Sequence, residues 1–180
     1  MNKFLKRTIT FLISLAILLL IAYQGLIAYT KSFSPEETAF FEEGDLKIEV
    51  TYSSPSKKNR EIFGSLVPFG KIWRTGANEA TVFSTSQDIK VGGKTLPKGD
   101  YTIFSIPESD SWEIIFNSAT YDWGINYDGT SPHKPEADVL RVKAPVFMSN
   151  GVKEQFSIYV DRIEGIVFEW DRTRAVLPFE

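Results

Sequence analysis

The stretch Leu46-Lys47-Ile48-Glu49-Val50-Thr51-Tyr52 decides the fold class. Every even position is apolar and every odd one polar, the two-residue period of a strand with one buried and one wet face. Toward the C-terminus the rhythm returns between turn signals. Gln87-Asp88-Ile89-Lys90-Val91 is followed by Gly92-Gly93 and Lys94-Thr95-Leu96, and Pro97-Lys98-Gly99-Asp100 leads into Tyr101-Thr102-Ile103-Phe104-Ser105-Ile106. Trp112-Glu113-Ile114-Ile115-Phe116, Val139-Leu140-Arg141-Val142 and the alternating apolar set Phe156, Ile158 and Val160 read as further strands. A closing hairpin is predicted to pair residues 165–170 with 175–179 across Asp171-Arg172-Thr173-Arg174. Eight or nine short strands, with no helical pattern of roughly 10–15 residues between them, predict an all-β domain over residues 45–180, an antiparallel β-sandwich or barrel. The 14 Phe, 7 Tyr and 4 Trp supply ample apolar mass for one core.

Toward the N-terminus the chain changes character. Residues 1–7 carry Lys3, Lys6 and Arg7, and residues 8–30 hold no charge at all. Seventeen of those 23 residues are apolar, enough to cross a hydrocarbon layer that needs about 20. A cleaved signal peptide has a shorter apolar core and an A-x-A-like site. The steps around Tyr23-Gln24-Gly25-Leu26-Ile27-Ala28 lack that spacing, so a retained transmembrane signal anchor over residues 8–30 is the expectation. The three leading cations place the N-terminus in the cytoplasm and the C-terminal domain on the periplasmic, extracytoplasmic side of an inner membrane. Residues 31–44 are expected to link anchor to domain. There Ser34-Pro35-Glu36-Glu37 offers an N-cap, a first-turn proline and a capping-box glutamate, predicting a short helix over 35–42.

Composition excludes several functions. With 20 Lys+Arg against 23 Asp+Glu the net charge is −3, unlike nucleic-acid binders, whose domains usually exceed a pI of about 9. There is no cysteine, which removes thiolate catalysis and cysteine-based metal or haem sites, and there is one histidine, His133. No cofactor and no metal are expected. His133 sits in the proline-framed loop Ser131-Pro132-His133-Lys134-Pro135 and is read as solvent-exposed. Asp122, Asn126, Asp128 and Gly129 lack the acids that an EF-hand needs at its first and last positions, so they read as a polar turn.

Residues 53–81 break the strand rhythm, and a connection this long inside a compact domain is often functional. Its chemistry is concentrated in Lys71, Trp73, Arg74, Asn78 and Glu79. A planar guanidinium beside an aromatic ring and the flexible Gly76 is a way to hold a carboxylate, phosphate or sugar. The bland reading stays open beside it. Trp73, Ile62, Phe63, Leu66 and Val67 plug one end of the domain, and Arg74 with Glu79 forms an internal ion pair.

The run from Tyr52 to Gly64, continued by Leu66-Val67-Pro68-Phe69-Gly70-Lys71-Ile72-Trp73-Arg74-Thr75-Gly76-Ala77-Asn78-Glu79-Ala80-Thr81, resembles the hallmark of a bacterial family catalogued as domain of unknown function 2911 (DUF2911). Val91-Gly92-Gly93-Lys94-Thr95-Leu96-Pro97-Lys98-Gly99-Asp100-Tyr101 resembles that family's next segment, and Trp170-Asp171-Arg172-Thr173-Arg174 its closing one. Phe69 stands where the family commonly shows Tyr. The resemblance implies an exported, β-rich bacterial domain and carries over no reaction. Three functions follow as expectations. The first is a membrane-anchored module that binds a small polar, anionic or carbohydrate ligand, or an envelope partner, through residues 60–81. The others are an envelope carbohydrate hydrolase that pairs Glu79 with a second carboxylate, and a purely structural envelope module.

Overall fold

The computed structural model describes residues 2–180, which divide into two compact units, one ending at Phe33 and one from Ser34 to Glu180. The first unit is a single helix, α1 (Lys3–Ser32). Asn2 caps it by accepting from the Leu5 amide at 2.8 Å. Thirty residues at about 1.5 Å each exceed the roughly 30 Å of a bilayer core. Its threonine hydroxyls are satisfied within the helix. Thr8, Thr10 and Thr30 donate to the carbonyls of Phe4, Lys6 and Leu26, one turn back.

The second unit is built from β1 (Glu36–Glu43), β2 (Leu46–Ser53), β3 (Thr81–Thr85), β4 (Ile89–Val91), β5 (Lys94–Leu96), β6 (Gly99–Pro107), β7 (Ser111–Asn117), β8 (Asp138–Asp161) and β9 (Gly165–Leu177). Seven of them form one antiparallel sheet in the order β1-β2-β3-β6-β7-β8-β9, and β4 and β5 form a small hairpin beside it. The sheet curls back on itself. Residues just after β2 run along the far half of β8, where the Phe156 amide donates to Pro55 O (2.9 Å) and the Lys57 amide to Glu154 O (2.6 Å). The enclosed face holds Trp112, Trp170, Phe83, Phe116, Phe156 and Phe168, each essentially without solvent contact. The all-β antiparallel expectation holds.

Two local expectations do not. Residues 36–43 form β1, not a helix, despite the capping-box signal. All eight residues pair with β2, and the pairs Ala39–Val50 and Phe41–Ile48 lie on the covered side. Cross-strand apolar contact over eight residues outweighs a cap, which contributes about 1 kcal/mol. Residues 165–179 also do not form a hairpin of their own. β9 runs through 171–174 as one strand paired with β8, and the bend is absorbed at Asp171, in the left-handed region at φ 54°. The Lys57 ammonium fixes that bend, 2.7 Å from Asp171 Oδ2.

The start of β9 depends on a glycine. Gly165 has φ +108°, and a Cβ there would lie 2.4 Å from the backbone oxygen of Leu177. Gly165→Ala is expected to lower stability by about 1–3 kcal/mol, measured by urea unfolding of the full chain followed by tryptophan fluorescence. An unchanged midpoint would contradict this register.

Candidate functional site

Strand pairing carries into residues 53–81. Ahead of β3 in the chain, Trp73 pairs with Ser105 of β6, its amide donating to Ser105 O at 2.7 Å and its carbonyl accepting from the Ser105 amide at 2.9 Å. The Trp73 side chain turns inward. Its ring stacks on Trp170 (6.2 Å, 15°) and meets Trp112, Phe156 and Phe63 edge-on at 5.1–6.1 Å. The expected ligand wall is therefore a half-buried ring packed against the core, with Ile62 and Val67 buried near it and Phe63 half-buried, whereas Leu66, which the bland reading placed in the same plug, is exposed.

The turn after it is held from several sides. Thr75 (φ 54°) and Asn78 (φ 52°) both take left-handed backbone. The Thr75 hydroxyl donates to Ser105 Oγ (2.9 Å) and the Thr81 hydroxyl to Thr75 O (2.8 Å). Gly76 passes so near β2 that a Cβ would sit 2.9 Å from Ser53 O. Asn78 is buried, donating from its side chain to Ser34 O at 3.3 Å and accepting the Gly124 amide on its own carbonyl at 2.9 Å. Ser53 Oγ donates to Glu79 Oε2 at 3.2 Å. These groups build the turn.

Arg74 is different. Side chains alternate along an extended chain, so Trp73 facing inward sends Arg74 to the opposite side. There its stem is clamped under Gly124, where a Cβ would fall 2.5 Å from Arg74 Cδ. The side chain is partly buried, and its Nε is enclosed with no hydrogen-bond partner. Burial alone pushes the guanidinium pKa below its ordinary value, with no acidic neighbour acting on it. The expected Arg74–Glu79 ion pair does not form among the described residues. Of the five residues singled out in the sequence, Lys71 is exposed, Trp73 packs half-buried against the core, Asn78 and Glu79 serve the turn, and Arg74 alone has an enclosed N–H with no acceptor among the described residues.

The cover over this outer face, residues 118–137, contains a cluster that sequence reasoning misread. His133 is not solvent-exposed, since only 7% of its side chain is accessible. Its ring packs on Phe104 at 5.0 Å and its Nε2 lies 2.7 Å from Asp138 Oδ1. Asn117 Nδ2 donates to the same oxygen (2.8 Å), while Arg141 donates twice to Oδ2 (2.9 and 2.6 Å) and once to Glu113 (2.9 Å). Burial opposes the charge on Asp138. The bonds from Asn117, His133 and Arg141 outweigh it and hold the carboxyl below its usual range. A sequence signal existed in the five-residue spacing from His133 to Asp138, bridged by the 3-10 turn Pro135–Ala137. The stretch containing Asp122, Asn126, Asp128 and Gly129 is the expected polar turn, with Asp128 Oδ1 accepting from the Thr130 amide (2.9 Å) and hydroxyl (2.6 Å).

Compared with known proteins, residues 34–179 match the family described as "Protein of unknown function (DUF2911)". No curated protein and no solved structure matches the chain.

Asp138 generates a pH prediction. A carboxyl with a depressed folded pKa adds stability at pH values above its unfolded pKa of about 4, and loses it as pH falls through the folded value. Asp138→Asn is expected to lower stability at pH 7 by about 1–3 kcal/mol and to flatten the loss below pH ~4. Urea unfolding of both chains across that range checks it, since the other carboxylates cancel in the difference. Parallel pH profiles would contradict the assignment.

Proposed function

The chain belongs to the DUF2911 family, and on that premise we propose that it is a membrane-anchored module capturing a polar, anionic ligand through Arg74 on the extracytoplasmic side of a bacterial inner membrane. The observation that carries this reading is the enclosed, unpartnered Nε of Arg74. An enclosed N–H without an acceptor is costly, and a carboxylate or phosphate supplies acceptors in the planar geometry that guanidinium favours. α1 acts as the retained anchor. Lys3, Lys6 and Arg7 at its start keep the short N-terminus in the cytoplasm. The purely structural alternative draws support from Trp73, Thr75 and Asn78, which serve the fold, but it leaves Arg74 unexplained. The hydrolase alternative rests on Glu79, whose carboxylate takes the Ser53 hydroxyl.

The charge at position 74 separates these readings. Arg74→Met keeps the packed stem and deletes the orphaned charge, and removing a buried unpaired charge in favour of packing is neutral or stabilising. The expected result in nanodisc-embedded full chain is calorimetric binding of succinate or inorganic phosphate by the wild type and none by Arg74→Met, with unfolding midpoints equal or raised. A variant that is destabilised by a few kcal/mol, with no anion binding by the wild type, would show that Arg74 serves the fold alone. The anchor has a separate check. Intact mass of membrane-extracted protein is expected to give the whole 20.4 kDa chain, and a product lacking the first 30 or so residues would mark a cleaved signal.

A further inference from the structure

The far end of the domain holds a cleft that the Arg74 reading does not use. Between the pairs Met148–Thr173 and Lys153–Asp171, β8 carries four residues, 149–152, where β9 carries only Arg172. β8 must bow away from its partner there, as a strand with surplus residues does. The bow opens a groove of about 520 Å³, inside the range of about 300–1,000 Å³ typical of small-ligand sites.

Its polar groups are built in. Glu169 is only 7% exposed, and its two oxygens are shared between the Ser149 hydroxyl at 2.6 Å and the Lys153 ammonium at 3.4 Å. Opposite them Arg174 pairs with Glu164, and both meet the Tyr159 hydroxyl, which lies 2.9 Å from Arg174 Nη2 and 3.0 Å from Glu164 Oε2. Two acids and two bases therefore line one groove, each already matched to an opposite charge. An ionic ligand would have to break one of these pairs. An apolar ligand would strip water from four charged groups and return no hydrogen bonds. A ligand rich in hydroxyls meets neither obstacle, because each hydroxyl both donates and accepts and so replaces bound water bond for bond. Exposed Met148 and Val152 on the bowed segment offer apolar contact for the C–H faces of a sugar ring.

We propose that this groove binds a neutral saccharide, independently of Arg74. The test uses nanodisc-embedded full chain with maltotriose, cellotriose and chitotriose as uncharged probes and trigalacturonate as the charged comparison. Saturation-transfer NMR and calorimetry are expected to show saturable binding of at least one neutral trisaccharide. Glu169→Gln is expected to weaken it at least about tenfold, the loss of a hydrogen bond to a charged group. Lys153→Ala, on the exposed wall, gives the same readout if the Glu169 variant fails to fold, and Arg74→Met is expected to bind like wild type. Three outcomes overturn the proposal: no saturable binding of any neutral probe, binding of trigalacturonate alone, or neutral-sugar binding that neither groove variant weakens.

Discussion

The pairing of Trp73 with Ser105 is the constraint from which the rest of the domain's candidate chemistry follows. Two reciprocal backbone hydrogen bonds, at 2.7 and 2.9 Å, fix which way residue 73 faces. Its ring joins Trp170, Trp112, Phe156 and Phe63 in contacts that each contribute about 0.5–1.5 kcal/mol beyond their buried area. The two-residue alternation of extended chain then leaves Arg74 no choice but the outer side. A residue cannot be moved out of that aromatic cluster without repacking the core, so the outward direction of Arg74, under the cover, is inherited from the interior.

The outer cover treats its charges unequally. At Asp138 three side chains converge on one carboxylate and satisfy its oxygens. At Arg74, under the same cover, the stem is packed and the Nε receives nothing. Buried polar groups are ordinarily paired, and the enclosed Arg74 Nε departs from that rule where the Asp138 carboxylate obeys it. The groove between β8 and β9 follows a third pattern, with charges matched pairwise around open space, and this suits a guest without charge.

Part of the strand content was legible in the sequence because β2 has one covered and one wet face, which writes a two-residue period into residues 46–52, while β6, β7 and β9 are buried on both faces over much of their length. β1 was not legible. Ser34-Pro35-Glu36-Glu37 is a sound helix start taken alone, and only pairing with β2, which no local signal reports, overrides it. Asp171-Arg172-Thr173-Arg174 reads as a turn because it is polar and unalternating, whereas the chain passes through it as a single strand, bent at Asp171 and paired with the bulged β8. Within residues 53–81 the sequence could not divide the labour of its polar and aromatic side chains, since facing inward or outward is decided by Ser105 on a distant strand. His133 was misjudged for the same reason: Phe104, which covers it, lies 29 residues away. The groove gave no signal, because it comes from unequal residue counts in two paired strands.

Amide hydrogen exchange at Trp73 and Ser105 tests the central claim most directly. If Trp73 is strand-paired and packed against the core, both amides exchange as slowly as those of β6 and β7 and open only with global unfolding of the domain. Exchange of the Trp73 amide at the rate of an open loop, while β6 and β7 stay protected, would contradict the account, because nothing would then hold Arg74 in place.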